Sequence, residues 1–116
     1  MRWAYAGHPP ALRLVDGREL VAPSQGVPLG LHPDPEYAEG TLRPDGPTGV
    51  LLYTDGLIEA RQDGAFFGLE GVTAVLGALE NPSAREAVAT LRSRVEEFAG
   101  ADRLSDDLCM LAASIE

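Results

Sequence analysis

The chain has 116 residues, of which 45% are hydrophobic and 23% charged, with 18 acidic side chains against 9 basic ones and a formal net charge of -9. That length holds one domain, since domains usually run to roughly 100–200 residues, and the composition excludes wholesale disorder. The charge repels nucleic-acid phosphates and anionic membrane surfaces alike, no run approaches the roughly 18 apolar residues of a membrane span, and the N-terminus lacks a signal peptide's apolar stretch; the expectation is a cytoplasmic unit with neither nucleic acid nor membrane as partner.

Alternating large and small apolar residues predict a strand over 2–6 ("RWAYA"), which "GHPP" breaks and "ALRLV" (11–15) resumes. Asp16-Gly17 reads as a two-residue hairpin turn, because glycine tolerates positive φ, and "RELVA" (18–22) follows as a further strand. The first 22 residues thus read as an antiparallel meander. With Met1 followed at once by mid-strand sequence, the expectation is that the domain starts further upstream.

Four prolines and two glycines in "PSQGVPLGLHPDP" (23–35) remove backbone donors and exclude a regular element there. Residues 36–42 alternate weakly, "RPDGPTG" turns, and "VLLYT" (50–54) has the strongest buried-strand character, delivering Asp55 at its end. Leu69, Val72, Val75, Leu76 and Leu79 then lie at helical spacing, and Asn81-Pro82 ends that pattern. A second helix is marked by a Ser83/Glu86 capping box, a stripe of Ala87, Val88, Leu91, Val95 and Phe98, and a stop at Gly100. The last strand is "LCMLAASI" (108–115). Its Cys109 is the sole cysteine, unable to form an internal disulfide, and reads as a small core residue in a reducing compartment.

The chemistry rests on carboxylates. Asp55 leaves one strand, while Asp106 and Asp107 stand before another. If those strands are antiparallel neighbours, the end of the first lies beside the start of the second. Side chains alternate across a strand, so one of Asp106 and Asp107 can join Asp55. Gathered carboxylates need a cation, and oxygen donors suit hard ions such as Mg²⁺ or Mn²⁺. Gly56 lets the backbone turn tightly away. The bland alternative is that Asp-Gly is a plain turn and "SDD" a solvated edge. His8 and His32 lie in proline-rich loops and read as hydrogen-bonding residues there.

"AGHPPALRL", "GVPLGL", "LLYTDGLIEARQDGAFFG" and "SDDLCML", in this order, resemble the C-terminal half of the SpoIIE/RsbU-like bacterial branch of the metal-dependent (PPM, type 2C) serine/threonine phosphatases. The resemblance spans nearly the whole chain. It implies an α+β fold, part of an α-β-β-α sandwich of mostly antiparallel strands, with two helices between the site strand and the last strand. It also implies a dinuclear Mn²⁺ or Mg²⁺ centre whose residues here are Asp55, Gly56 and Asp106, with Asp107 as a neighbour and Glu59 either near a metal-held water or on the surface. The implied substrate is a phosphoserine or phosphothreonine protein, such as an anti-sigma-factor antagonist.

The family's Asp-x-x-Gly-His-Gly segment and early strands are not among these residues, and "RPDGPTGV" replaces the usual Pro-Gly-Asp turn. The expectations are a phosphatase fragment with weak or no turnover alone, and self-association through an exposed sheet. The alternative is a non-catalytic interaction module that keeps the fold.

Overall fold

The computed structural model describes residues 1–100 and 107–115. In chain order it forms β1 (Arg2–Trp3), β2 (Leu12–Arg13), β3 (Gly40–Thr41), β4 (Thr48–Tyr53), α1 (Asp55–Ile58), β5 (Arg61–Gln62), β6 (Ala65–Phe66), α2 (Gly68–Gly77), α3 (Ala84–Ala99) and β7 (Met110–Ile115). Every strand pair is antiparallel, and the fold is α+β.

β4 organises the molecule. It pairs with β2 on one side, Leu12 opposite Leu51, and along its whole length with β7 on the other, from Thr48 opposite Ile115 to Tyr53 opposite Met110. Alternation sends Leu51 and Tyr53 to one face. There they are buried with Leu12, Leu14, Leu57, Val72, Leu76, Leu91 and Val95 beneath the helices. Each such aliphatic side chain stabilises the fold by about 1.5–3 kcal/mol on burial. The opposite face carries Val50, which packs on a second cluster of Tyr5, Ala11 and Leu20. Leu52 and its cross-strand partner Leu111 on that face remain 37% and 56% exposed.

The helices follow from caps and spacing. Ser83 stands in extended backbone, and its hydroxyl accepts the Glu86 N–H at 3.2 Å, satisfying one of the donors that a helix start leaves open. Ala87, Leu91, Val95 and Ala99 then fall one turn apart on the buried face, and Gly100 ends the helix at φ +52°. In α2, Val72 and Leu76 are buried, while Leu69 and Val75 pack partly against the same core. α2 stops at Gly77 rather than at residue 79, before Asn81 turns the chain at φ +49°. Phe67 and Phe98 join the two helices, with ring centroids 5.4 Å apart and planes at 60°.

Several expectations are corrected. The N-terminal meander forms only in part: β1 pairs with β3, while the 11–22 stretch keeps a short antiparallel hairpin in which Leu12 bridges Glu19 and the Leu20 N–H donates to the Ala11 carbonyl at 2.7 Å. Pro9 and Pro10 lack N–H donors and Gly7 sits at φ +82°, so residues 4–10 leave the ladder. Trp3 lies flat against Gly40, where any Cβ would collide with the indole. The hairpin turn is wider than Asp16-Gly17, because Arg13 N–H donates to the Arg18 carbonyl at 2.8 Å and residues 14–17 form the loop. The β5–β6 hairpin and the short α1 have no counterpart in the periodicity reading. Cys109 is exposed, not in the core, because Leu108 and Met110 on either side of it are the residues that pack toward the helices. Among the described residues no helix is long and apolar enough to cross a membrane.

Candidate functional site

The antiparallel pairing of β4 with β7 brings the end of one strand beside the start of the other, as the carboxylate argument requires. Asp55 is not the last residue of the strand. β4 ends at Tyr53, Thr54 links, and Asp55 is the first residue of α1 and is exposed. Gly56 is buried in that helical turn and is not in the left-handed region, so the tight turn away from the sheet comes from helix formation instead. Exposed Glu59 closes α1, its N–H donating to the Asp55 carbonyl at 2.9 Å.

Across from Asp55 runs the segment leading into β7. Asp107 is exposed, and its backbone carbonyl accepts the Thr54 hydroxyl proton at 3.0 Å. The same hydroxyl accepts the Cys109 N–H at 3.0 Å. Asp107 precedes the regular strand by three positions, so the pleat does not assign its side chain to a face. Asp106 lies outside the described residues.

The electrostatics are acidic. Burial pushes the Tyr53 hydroxyl above the usual tyrosine value, and the charges of Glu19, Tyr5 and Asp55 push it further in the same direction. A phosphate approaching this end of the molecule meets negative charge unless a cation intervenes. The Asp55 carboxylate makes no ion pair with any described residue. A single hard oxygen donor of this kind fits Mg²⁺ or Mn²⁺, which take few protein ligands and keep waters. Among the described residues, no group of three or more His, Cys, Asp or Glu is placed to hold a metal.

The histidines stay apart from this site in their expected roles. His8 Nδ1 lies 2.6 Å from the Pro9 carbonyl, and His32 Nδ1 accepts the Asp34 N–H at 3.3 Å. Thr54 is the residue that sequence reasoning missed. Its signal was available: a hydroxyl placed between a buried strand and the candidate aspartate Asp55, where the chain changes from one backbone conformation to another.

The sequence model of one family, described as stage II sporulation protein E (SpoIIE), matches residues 1–116, the whole chain. No curated protein and no solved structure matches it.

Proposed function

The chain belongs to the SpoIIE family, and on that premise we propose that it is the C-terminal part of a metal-dependent serine/threonine protein phosphatase domain. Asp55, Gly56 and Asp106 would contribute to its Mn²⁺ or Mg²⁺ centre. The substrate would be a phosphoserine or phosphothreonine protein of a bacterial signalling system, such as an anti-sigma-factor antagonist, in the cytoplasm. A divalent ion, when bound, lowers the pKa of its water and offsets charge on phosphoryl oxygens. This chain's own part is to hold Asp55 at the head of α1, exposed and unpaired among the described residues.

The observation that carries this reading is the bonding of Thr54 to the backbone of Asp107 and Cys109, residues more than 50 positions away. It ties the stretch that bears Asp55 to the stretch that follows Asp106. The test is incubation with Mn²⁺ and a chromogenic phosphomonoester. The 116-residue chain alone should turn over weakly or not at all. The longer domain, with the Asp-x-x-Gly-His-Gly segment, should be active and lose at least about tenfold on Asp55→Asn. Undiminished Asp55→Asn activity there defeats the reading.

A second reading, a non-catalytic interaction module, is favoured by one observation: Leu52 and Leu111 form an exposed apolar pair beside β7, which has no strand on its outer side among the described residues. Unpaired edges and apolar patches invite other chains. Absence of divalent-ion binding by the longer domain, with self-association retained, would favour it.

A further inference from the structure

We propose that Thr54 is a positioning residue for the metal site, its hydroxyl fixing the backbone of Asp55 against the segment 107–109. This rests on the phosphatase reading above.

In a regular antiparallel ladder, a closely spaced residue pair exchanges two N–H···O=C bonds. Thr54 and Cys109 make one of them, the Thr54 N–H donating to the Cys109 carbonyl at 3.0 Å. The return bond is different. Cys109 N–H donates to the Thr54 hydroxyl oxygen at 3.0 Å, in the place where a regular ladder would use the Thr54 carbonyl. That carbonyl instead accepts the Leu57 N–H at 3.0 Å and begins α1. The side chain therefore substitutes for its own backbone, and the chain passes from strand to helix within one residue while the pairing with the β7 segment is kept.

The hydroxyl also donates to the Asp107 carbonyl at 3.0 Å. A proton directed at the Asp107 carbonyl, with the Cys109 carbonyl farther off at 3.5 Å, and one accepted bond fit the capacity of a hydroxyl. A threonine at a helix N-cap ordinarily bonds its own first turn. Thr54 makes no such capping bond, although its φ of -93° and ψ of 163° are those of a cap residue. Its bonding is directed across the chain, toward the second aspartate-bearing stretch. Metal ligands tolerate little misplacement, Mg²⁺ least of all, and loss of a partner that orients a ligand typically weakens metal binding about 10–100-fold.

The experiment uses the full natural protein that contains these residues. It measures Mn²⁺ affinity from the electron paramagnetic resonance of the free ion, and hydrogen exchange of the Cys109 amide. Thr54→Val keeps the shape and removes the hydroxyl; Thr54→Ser keeps the hydroxyl. Thr54→Val should bind Mn²⁺ at least about tenfold more weakly and exchange the Cys109 amide faster, with Thr54→Ser close to the parent in both. Because Thr54 is exposed, water can meet the vacated groups, and the thermal midpoint of Thr54→Val should stay near the parent's; Thr54→Ala repeats the comparison should valine not be accommodated. Parent-like Mn²⁺ binding by Thr54→Val, or a loss in Thr54→Ser as large as in Thr54→Val, overturns the proposal. Asp55→Asn, run alongside, separates the two ideas: its failure to weaken Mn²⁺ binding overturns the metal-site reading itself.

Discussion

The Tyr5 hydroxyl donates to the Leu20 carbonyl at 2.6 Å and accepts the Ala11 N–H at 2.9 Å. Tyr5 is nearly buried, and this one oxygen joins three pieces of the irregular N-terminal region. Tyr5→Phe leaves both backbone groups buried without that partner, which costs about 1–3 kcal/mol. Urea denaturation should show the loss as a lower midpoint with an unchanged slope; an unchanged midpoint would mean that the region holds without the bond.

Gly49 lies directly against Leu14. A Cβ at residue 49 would stand 2.5 Å from Leu14 Cδ1 and 3.2 Å from the Ala113 carbonyl oxygen. Leu14 is 1% exposed. Gly49→Ala should therefore destabilise by about 1–3 kcal/mol through overpacking. Gly46→Ala, where nothing lies within 4 Å of the added atom, should fall within about 0.5 kcal/mol of the parent. Thermal melts of the two variants side by side make the comparison.

Stability should fall on the alkaline side. Burial raises the pKa of Tyr53 above its usual value near 10.0, with the charges of Glu19, Tyr5 and Asp55 adding to the rise, and burial likewise raises that of Tyr5. Below about pH 10 both folded and unfolded chains keep the proton. Above it the unfolded chain releases the proton first, so the unfolded state gains and the contribution disappears as pH rises through the folded value. Thermal midpoints collected from about pH 8 to about pH 11 should decline, and Tyr53→Phe should flatten the decline. A parallel decline in that variant would assign the effect to other groups.

Leu52 and Leu111 face each other across β4 and β7 with much of their surface open. If this pair seats a second copy, Leu111→Lys should shift the 116-residue chain toward monomer in sedimentation velocity, at unchanged helix content. A monomeric parent at every concentration would remove the self-association proposal.

Much of the fold was legible because it is written in short-range signals. The Ser83 cap, the spacing of Ala87, Leu91 and Val95, and Gly100 mark α3 at both ends, and the structure keeps each of them, with the Ser83 hydroxyl bonded to the Glu86 N–H. The two apolar runs marked β4 and β7 as strands, but their antiparallel pairing stood only as a condition until the structure showed it. Strand partnership at the N-terminus was not legible, because two-residue strands such as β1 and β3 carry no periodicity.

Two of the four Asp-Gly pairs show the limit well. Asp63 and Gly64 take φ +50° and +82° and make a two-residue turn between β5 and β6, as the backbone twist of a hairpin favours. At Asp16-Gly17 only the glycine is left-handed. Asp16 instead accepts the Arg18 N–H at 3.1 Å and pairs with Arg13 at 3.4 Å, which settles a wider loop. The candidate aspartate, Asp55, could be picked from the sequence, but the bonding of Thr54 could not, because its partners lie 53 and 55 positions along the chain.

β4 presents apolar side chains on both faces, Leu51 and Tyr53 toward the helices and Val50 and Leu52 away from them. Sliding such a strand by one position would swap one set for the other with almost no change in polarity, so the usual safeguard against slippage is missing. The frame must be kept by contour instead: the notch at Gly49 admits Leu14, and any displaced frame would set a bulkier residue there.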